Sequence, residues 1–168
     1  MKLTIYRILT FLLLPMAVFF TIFVLLLLRA AFSNPAMLLP LFLLACIAIY
    51  SFTSFSFLIQ GIDGKKLLNR SVKDWIKANA IGSMVFALVI IGECIAFLIH
   101  PEMLAEIVKQ MKENGGSDFK WSEADFEKYL RITSYFFLVY SLVLFVHIIM
   151  SFIYLKSYAY LFRKKEAQ

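Results

Sequence analysis

Between Arg7 and Arg29 stand 21 consecutive residues with no formal charge. An α-helix needs about 20 apolar residues to cross the hydrocarbon of a bilayer, and an isolated strand there would leave its backbone groups unpaired. Few soluble folds could hide such a run, and three more follow it. Ala30 to Ile62 is uncharged and interrupted only by the turn-like Ser33-Asn34-Pro35, Ala78 to Ile99 carries only Glu93, and Ile132 to Leu155 carries only His147. The expectation is an all-α membrane protein, a single integral domain over 1–168, with four transmembrane helices in a bundle at about 6–28, 36–60, 78–99 and 132–155. Composition agrees: 62% hydrophobic residues and a mean hydropathy of +0.83 exceed the roughly 45–50% apolar content of soluble domains.

The first run, preceded by Lys2 and Arg7, exceeds the roughly 7–15-residue core of a secretory signal, so it reads as a retained span that Pro15 kinks. Asn34 or Ser33 can cap the second helix, with Pro35 at its first position. The stretch "SFTSFSF" alternates like a strand but in lipid must be helical, its hydroxyls bonding back to carbonyls one turn earlier. Cys46 and Cys94 both fall inside spans and read as packed thiols.

Basic residues near span ends resist translocation. With four spans, both termini share a side with the loop between spans two and three. That side collects Lys2, Arg7, Lys65, Lys66, Arg70, Lys73, Lys77, Lys156, Arg163, Lys164 and Lys165, eleven in all, against Arg29, Lys109, Lys112, Lys120, Lys128 and Arg131, six, on the other. The termini are therefore expected in the cytoplasm of a multi-pass cell-membrane protein. The C-terminal lysines of "RKKEAQ" stand one position early for a dilysine retrieval signal, which favours a bacterial inner membrane. The net charge of +6 is a topology signal, and no basic residues are left over for a nucleic-acid patch.

Two segments lie outside the spans. In 65–77, Leu68, Val72, Trp75 and Ile76 recur at helical spacing among Lys65, Lys66, Arg70, Lys73 and Lys77, which predicts a cytoplasmic interfacial helix capped by Ser71 and running into the third span. Trp75 and these basic residues make a candidate lipid or partner surface. In 101–131 the pattern predicts an external helical hairpin. Met103, Leu104, Ile107, Val108 and Met111 form one apolar stripe, Asn114-Gly115-Gly116 ends the first arm, and Ser122 with Asp125 caps the second. Met103, Ile107 and Met111 are candidate contacts for another membrane protein or a second copy of this chain.

Each C-terminal span has a polar seam. At 100° per residue Asn79, Gly82, Phe86, Glu93 and His100 fall within about 60° of one another. Thr133, Tyr140, His147 and Tyr154 recur every seven residues, with Ser151 and Tyr158 one turn after the last two. Ionisable groups in a span normally face the bundle or a wet cavity, so both seams are expected to point inward. Glu93 lies about 10 Å below His100 and His147 about 24 Å below Arg131 at the helical rise, so a direct pair is not expected. Tyr140 stands at nearly the depth of Glu93, and a Glu93–Tyr140 hydrogen bond follows as an expectation. The candidate intramembrane polar site is thus Glu93, Tyr140, His147, Asn79, Ser151 and Tyr154.

No Cys, His and Asp cluster has zinc spacing, His100 and His147 are too far apart in depth to hold one haem, and neither a nucleophilic triad nor a glycine-rich phosphate loop stands at a readable spacing. No cofactor is called for, and an enzyme is not the expectation. The two readings left are a non-enzymatic accessory or scaffold subunit of a membrane complex and a small oligomeric proton-linked channel or transporter built on Glu93.

Overall fold

The computed structural model describes residues 2–115 and 122–163. The proposed break at Gly116, together with Asp118 and Lys120, and the C-terminal Lys164 and Lys165 lie outside the described residues. What is described is nearly all helical: α1 Lys2–Ser33, α2 Leu38–Ser56, α3 Arg70–Ile99, α4 Pro101–Gly115 and α5 Glu123–Ser157. Among the described residues four helical segments are long and apolar enough to cross a membrane, Leu3–Arg29, Pro35–Asp63, Arg70–Ile99 and Glu123–Ser157. The "SFTSFSF" alternation is helical, and α1 continues through Pro15.

The chain divides into two compact units. The first contains residues 1–86 and 143–168, and the second residues 87–142.

In the first unit, α1 and α2 pack along each other across a tight connection. Asn34 makes that connection: its Oδ1 accepts the Ala36 amide at 3.1 Å, and Pro35 opens a single 3-10 turn, Pro35–Met37, where its missing N–H costs nothing. At its other end α2 widens into a π-helical turn, Phe57–Asp63, closed by the Gly64 amide on the Ile59 carbonyl at 2.9 Å and the Lys66 amide on the Gln60 carbonyl at 3.0 Å. A Cβ on Gly64 would meet the Gln60 carbonyl oxygen at 2.8 Å, so only glycine fits. Lys65 follows in the left-handed region, φ 50°.

Of the segment 65–77, expected to hold an interfacial helix that runs into the third span, residues 70–77 are helical and continuous with that span. After Lys65 the chain passes through β1, Leu68–Asn69, and α3 begins at Arg70. The cap is Asn69 rather than Ser71: Asn69 Oδ1 accepts the Ser71 amide at 3.1 Å and the Ser71 hydroxyl at 3.2 Å. β1 pairs in parallel with β2, Phe162–Arg163, Leu68 opposite Phe162. Leu68 is consequently buried, and it packs close over Gly61, where a Cβ would stand 2.9 Å from Leu68 Cδ1 and require that side chain to shift. With Arg7 donating to Asp63 at 2.6 Å, the start of α1, the α2–α3 connection and the end of the described chain meet at one end of this unit.

In the second unit, His100 ends α3 and opens α4, its amide on the Ala96 carbonyl and its carbonyl accepting from Met103. Within α4, Leu104 and Val108 are buried, whereas Met103 and Met111 are exposed and Ile107 is half-buried. Among the described residues the apolar stripe is thus buried at Leu104 and Val108 and open at Met103 and Met111. α5 starts at the expected cap, Ser122 Oγ accepting the Asp125 amide at 3.1 Å, and Lys112 bonds Glu123 at 2.7 Å to tie α4 to α5. Cys94 Sγ lies 3.3 Å from the Ser134 carbonyl, and both cysteines are free and buried.

Candidate functional site

Three helices of the first unit converge on His147, which α5 holds with no exposed surface. Thr10 of α1 gives its single hydroxyl proton to the Tyr6 carbonyl one turn back, at 2.7 Å. Its oxygen can then only accept from the imidazole, so the 2.9 Å contact places a proton on His147 Nε2. A neutral ring with that tautomer presents a lone pair at Nδ1, and the Tyr50 hydroxyl of α2 donates to it at 2.8 Å. Having donated, Tyr50 accepts from Ser151 Oγ at 2.8 Å, and Ser151 in turn accepts from the Tyr6 hydroxyl at 3.2 Å. One directed chain thus leaves the Tyr6 hydroxyl, passes through Ser151, Tyr50, His147 and Thr10, and returns to the Tyr6 carbonyl.

Tyr6 also stacks flat on the imidazole, ring centroids 4.8 Å apart and planes 1° from parallel, and its ring lies tilted by 52° to that of Tyr154, centroids 4.8 Å apart. Tyr6, Thr10, Tyr50, His147 and Ser151 are each 2% exposed or less. Both imidazole nitrogens are occupied, so a ligand could reach His147 only by breaking a protein bond. Chemically the cluster is a closed lock that sets the rotation and depth of α1 and α2 against α5.

Of the sequence-derived candidates, the structure brings His147 and Ser151 into this cluster, with half-buried Tyr154 at its edge. Asn79 is buried on α3, its side-chain amide donating to the Trp75 carbonyl at 2.9 Å. Tyr140 is buried in the second unit. Sequence reasoning missed Tyr6, Thr10 and Tyr50. Tyr6 and Thr10 are four residues apart and so share a helix face at the start of a span otherwise almost pure hydrocarbon, and that spacing was the available signal.

Glu93 does not follow the expectation. It is exposed, and it makes no hydrogen bond or ion pair among the described residues, so the predicted bond to Tyr140 does not form. The α3 seam faces inward only in its first half, where a Cβ on Gly82 would meet Cys46 Sγ at 2.6 Å and Phe86 meets Phe20 edge-on at 6.4 Å. Further along, Glu93 is exposed while its neighbour Cys94 is buried, so the covered face of α3 there is the one that carries Cys94, and His100 just past the helix is exposed too. Beside Glu93, Gly92 has open space where a side chain would stand, nothing lying within 4 Å of a Cβ.

Trp75 is 55% exposed beside Lys73, which is half-buried with its ammonium 5.8 Å from the centre of the Phe162 ring. Lys65, Lys66 and Arg70 are exposed at the same end of the unit. Among the described residues no group of three His, Cys, Asp or Glu side chains is placed to hold a metal ion. No protein-family model matches the chain, and neither the curated proteins nor the solved structures contain a significant match to it.

Proposed function

We propose that this chain is a non-enzymatic integral membrane protein, four helices in a bundle, that serves as an accessory or scaffold subunit of a membrane complex. The observation that carries the reading is Glu93, exposed on a helix long and apolar enough to span the bilayer. A carboxylate at that depth is costly against acyl chains and is normally met by protein or by a wet cavity. An outward face that bears one calls for a second polypeptide. Open space at Gly92, with Ala96 one turn on, lets a partner helix approach the α3 backbone closely. In this reading both termini and the α2–α3 connection face the cytoplasm, α4 and the start of α5 form the external hairpin, and the exposed Met103 and Met111 extend the same partner surface.

The same exposed carboxylate supports a second reading, a small proton-linked channel or transporter in which several copies of this chain gather their Glu93 side chains. Native mass spectrometry of the protein, extracted gently from its own membrane, separates the two. The accessory reading expects a second protein at fixed stoichiometry, retained by Glu93→Gln and weakened by Glu93→Leu. The transporter reading expects a closed homo-oligomer whose proton flux in vesicles is abolished by Glu93→Gln. A monomer carrying lipid alone, unaffected by either substitution, overturns both.

A further inference from the structure

Where α3 begins and α5 ends, the first unit contains a cavity of about 320 Å³ lined by Lys73 and Lys77 from α3, Phe152, Leu155 and Lys156 from α5, and Ala159 just beyond it. Among the described residues, three of the six that line it are lysines and none is acidic. Among the described residues none of the three ammonium groups is held in an ion pair, and the nearest acid on α3, Asp74, lines a separate groove with Ser71, Trp75 and Ala78. The remaining lining is apolar, with Leu155 fully buried as its floor. This is an amphipathic cavity: three lysines, unpaired among the described residues, over a hydrocarbon wall.

Its depth matches its chemistry. Lys156 stands in the last turn of α5 and Lys73 in the first turn of α3, so the cavity opens at the boundary between the apolar spans and water. Exposed Trp75 lies at the same level, where indole rings settle among lipid headgroups. The Lys73 ammonium lies 5.8 Å from the centre of the Phe162 ring, and Phe162 pairs through β2 with Leu68 of β1, just before α3.

We propose that this cavity is a binding site for the phosphate headgroup of an anionic phospholipid, the three lysines coordinating the phosphate and Phe152 and Leu155 meeting the first segment of its acyl chains. A basic pocket between spanning helices near the cytoplasmic face attracts such lipids, and each lysine at the surface contributes about a fivefold gain in affinity. A free phosphate would satisfy the ammonium groups alone and leave the apolar wall wet. The site is independent of the Glu93 face, so it holds whichever partner that face takes.

The test is native mass spectrometry of the full chain in detergent, titrated with phosphatidylglycerol or phosphatidylcholine of identical acyl chains. The expected result is at least a tenfold preference for phosphatidylglycerol. That preference falls to about one in Lys73→Gln/Lys77→Gln/Lys156→Gln, persists in the matching triple Arg variant, and is unchanged by Lys109→Gln/Lys128→Gln at the other end of the spans. Equal binding of both lipids to the unaltered chain, or a preference that survives the triple Gln variant, overturns the proposal. Displacement of phosphatidylglycerol by millimolar inorganic phosphate overturns the lipid as occupant and assigns the cavity to a soluble anion.

Discussion

The chain places two ionisable side chains deep in its apolar helices, and it treats them in opposite ways. In the first unit His147 is closed off by its own chain, with Thr10 on one nitrogen, Tyr50 on the other and Tyr6 flat against its face. In the second unit Glu93 is exposed, next to a glycine with open space beside it. A buried polar group stabilises a fold when each of its donors and acceptors has a partner, and it costs most when one partner is removed. His147 therefore belongs to the architecture of this chain. Glu93 is left open by that architecture, and in the reading proposed above it faces a partner.

The largest effect that can break this contrast is His147→Ala. It opens a cavity in the contact of three helices and strips partners from Thr10 and Tyr50, so unfolding in bicelles is expected to be easier by about 3 kcal/mol. Tyr50→Phe keeps the ring but leaves Nδ1 and Ser151 short of a partner, at a cost of about 1 kcal/mol, with the two substitutions less than additive because they share a bond. A His147→Ala loss below about 0.5 kcal/mol, the range of neutral surface substitutions, would show that the cluster is slack and that His147 is free for other work.

Next in size is a pair of glycines on one helix. Gly82→Ala sets a methyl group 2.6 Å from Cys46 Sγ, and neither helix can yield without losing its packing, so a loss of about 2 kcal/mol is expected. Gly92→Ala meets nothing within 4 Å and should raise the stability of the isolated chain by about 0.5 kcal/mol through helix propensity alone. On the accessory reading the signs part further: Gly92→Ala would obstruct the proposed partner helix and should reduce complex yield in co-purification. Equal behaviour of Gly92→Ala in the isolated chain and in the membrane would leave the Glu93 face without a partner helix.

What could be read from the residues alone follows from how each signal is encoded. Charge-free runs, the Asn34-Pro35 turn and the Ser122 cap depend on neighbours in sequence, so the helices and several of their ends were legible. Which side of α3 is covered near Glu93 was not, because the helices that flank it decide where along its length a seam is buried. Nor was the meeting of Leu68 with Phe162 legible: a two-residue parallel pair, 94 positions apart, has no periodicity to betray it. The His147 cluster lay between. Its α5 half recurs every seven residues and stood out, but Tyr6 and Thr10 are two ordinary residues until the fold sets them opposite a histidine.

The smallest effect concerns ionisable groups that lie in neither environment. At the α3–α4 corner Glu102 is solvent-exposed, yet its own backbone N–H at the start of α4, then the His100 ring at 3.0 Å, hold its carboxyl below the usual carboxylate range. A carboxyl depressed in the folded chain favours folding above its unfolded pKa, and that contribution disappears as pH falls through the lowered value. Titration of the Glu102 carboxyl by ¹³C NMR should therefore show a depressed midpoint. His100→Ala should raise it only part of the way, because the larger cause, the amide at the helix start, is untouched. A full return to the ordinary value would make His100 the dominant partner and the corner an ion pair. Partial return keeps it a helix cap, a third use of an ionisable side chain in which local backbone geometry, rather than enclosure or a partner helix, sets the charge.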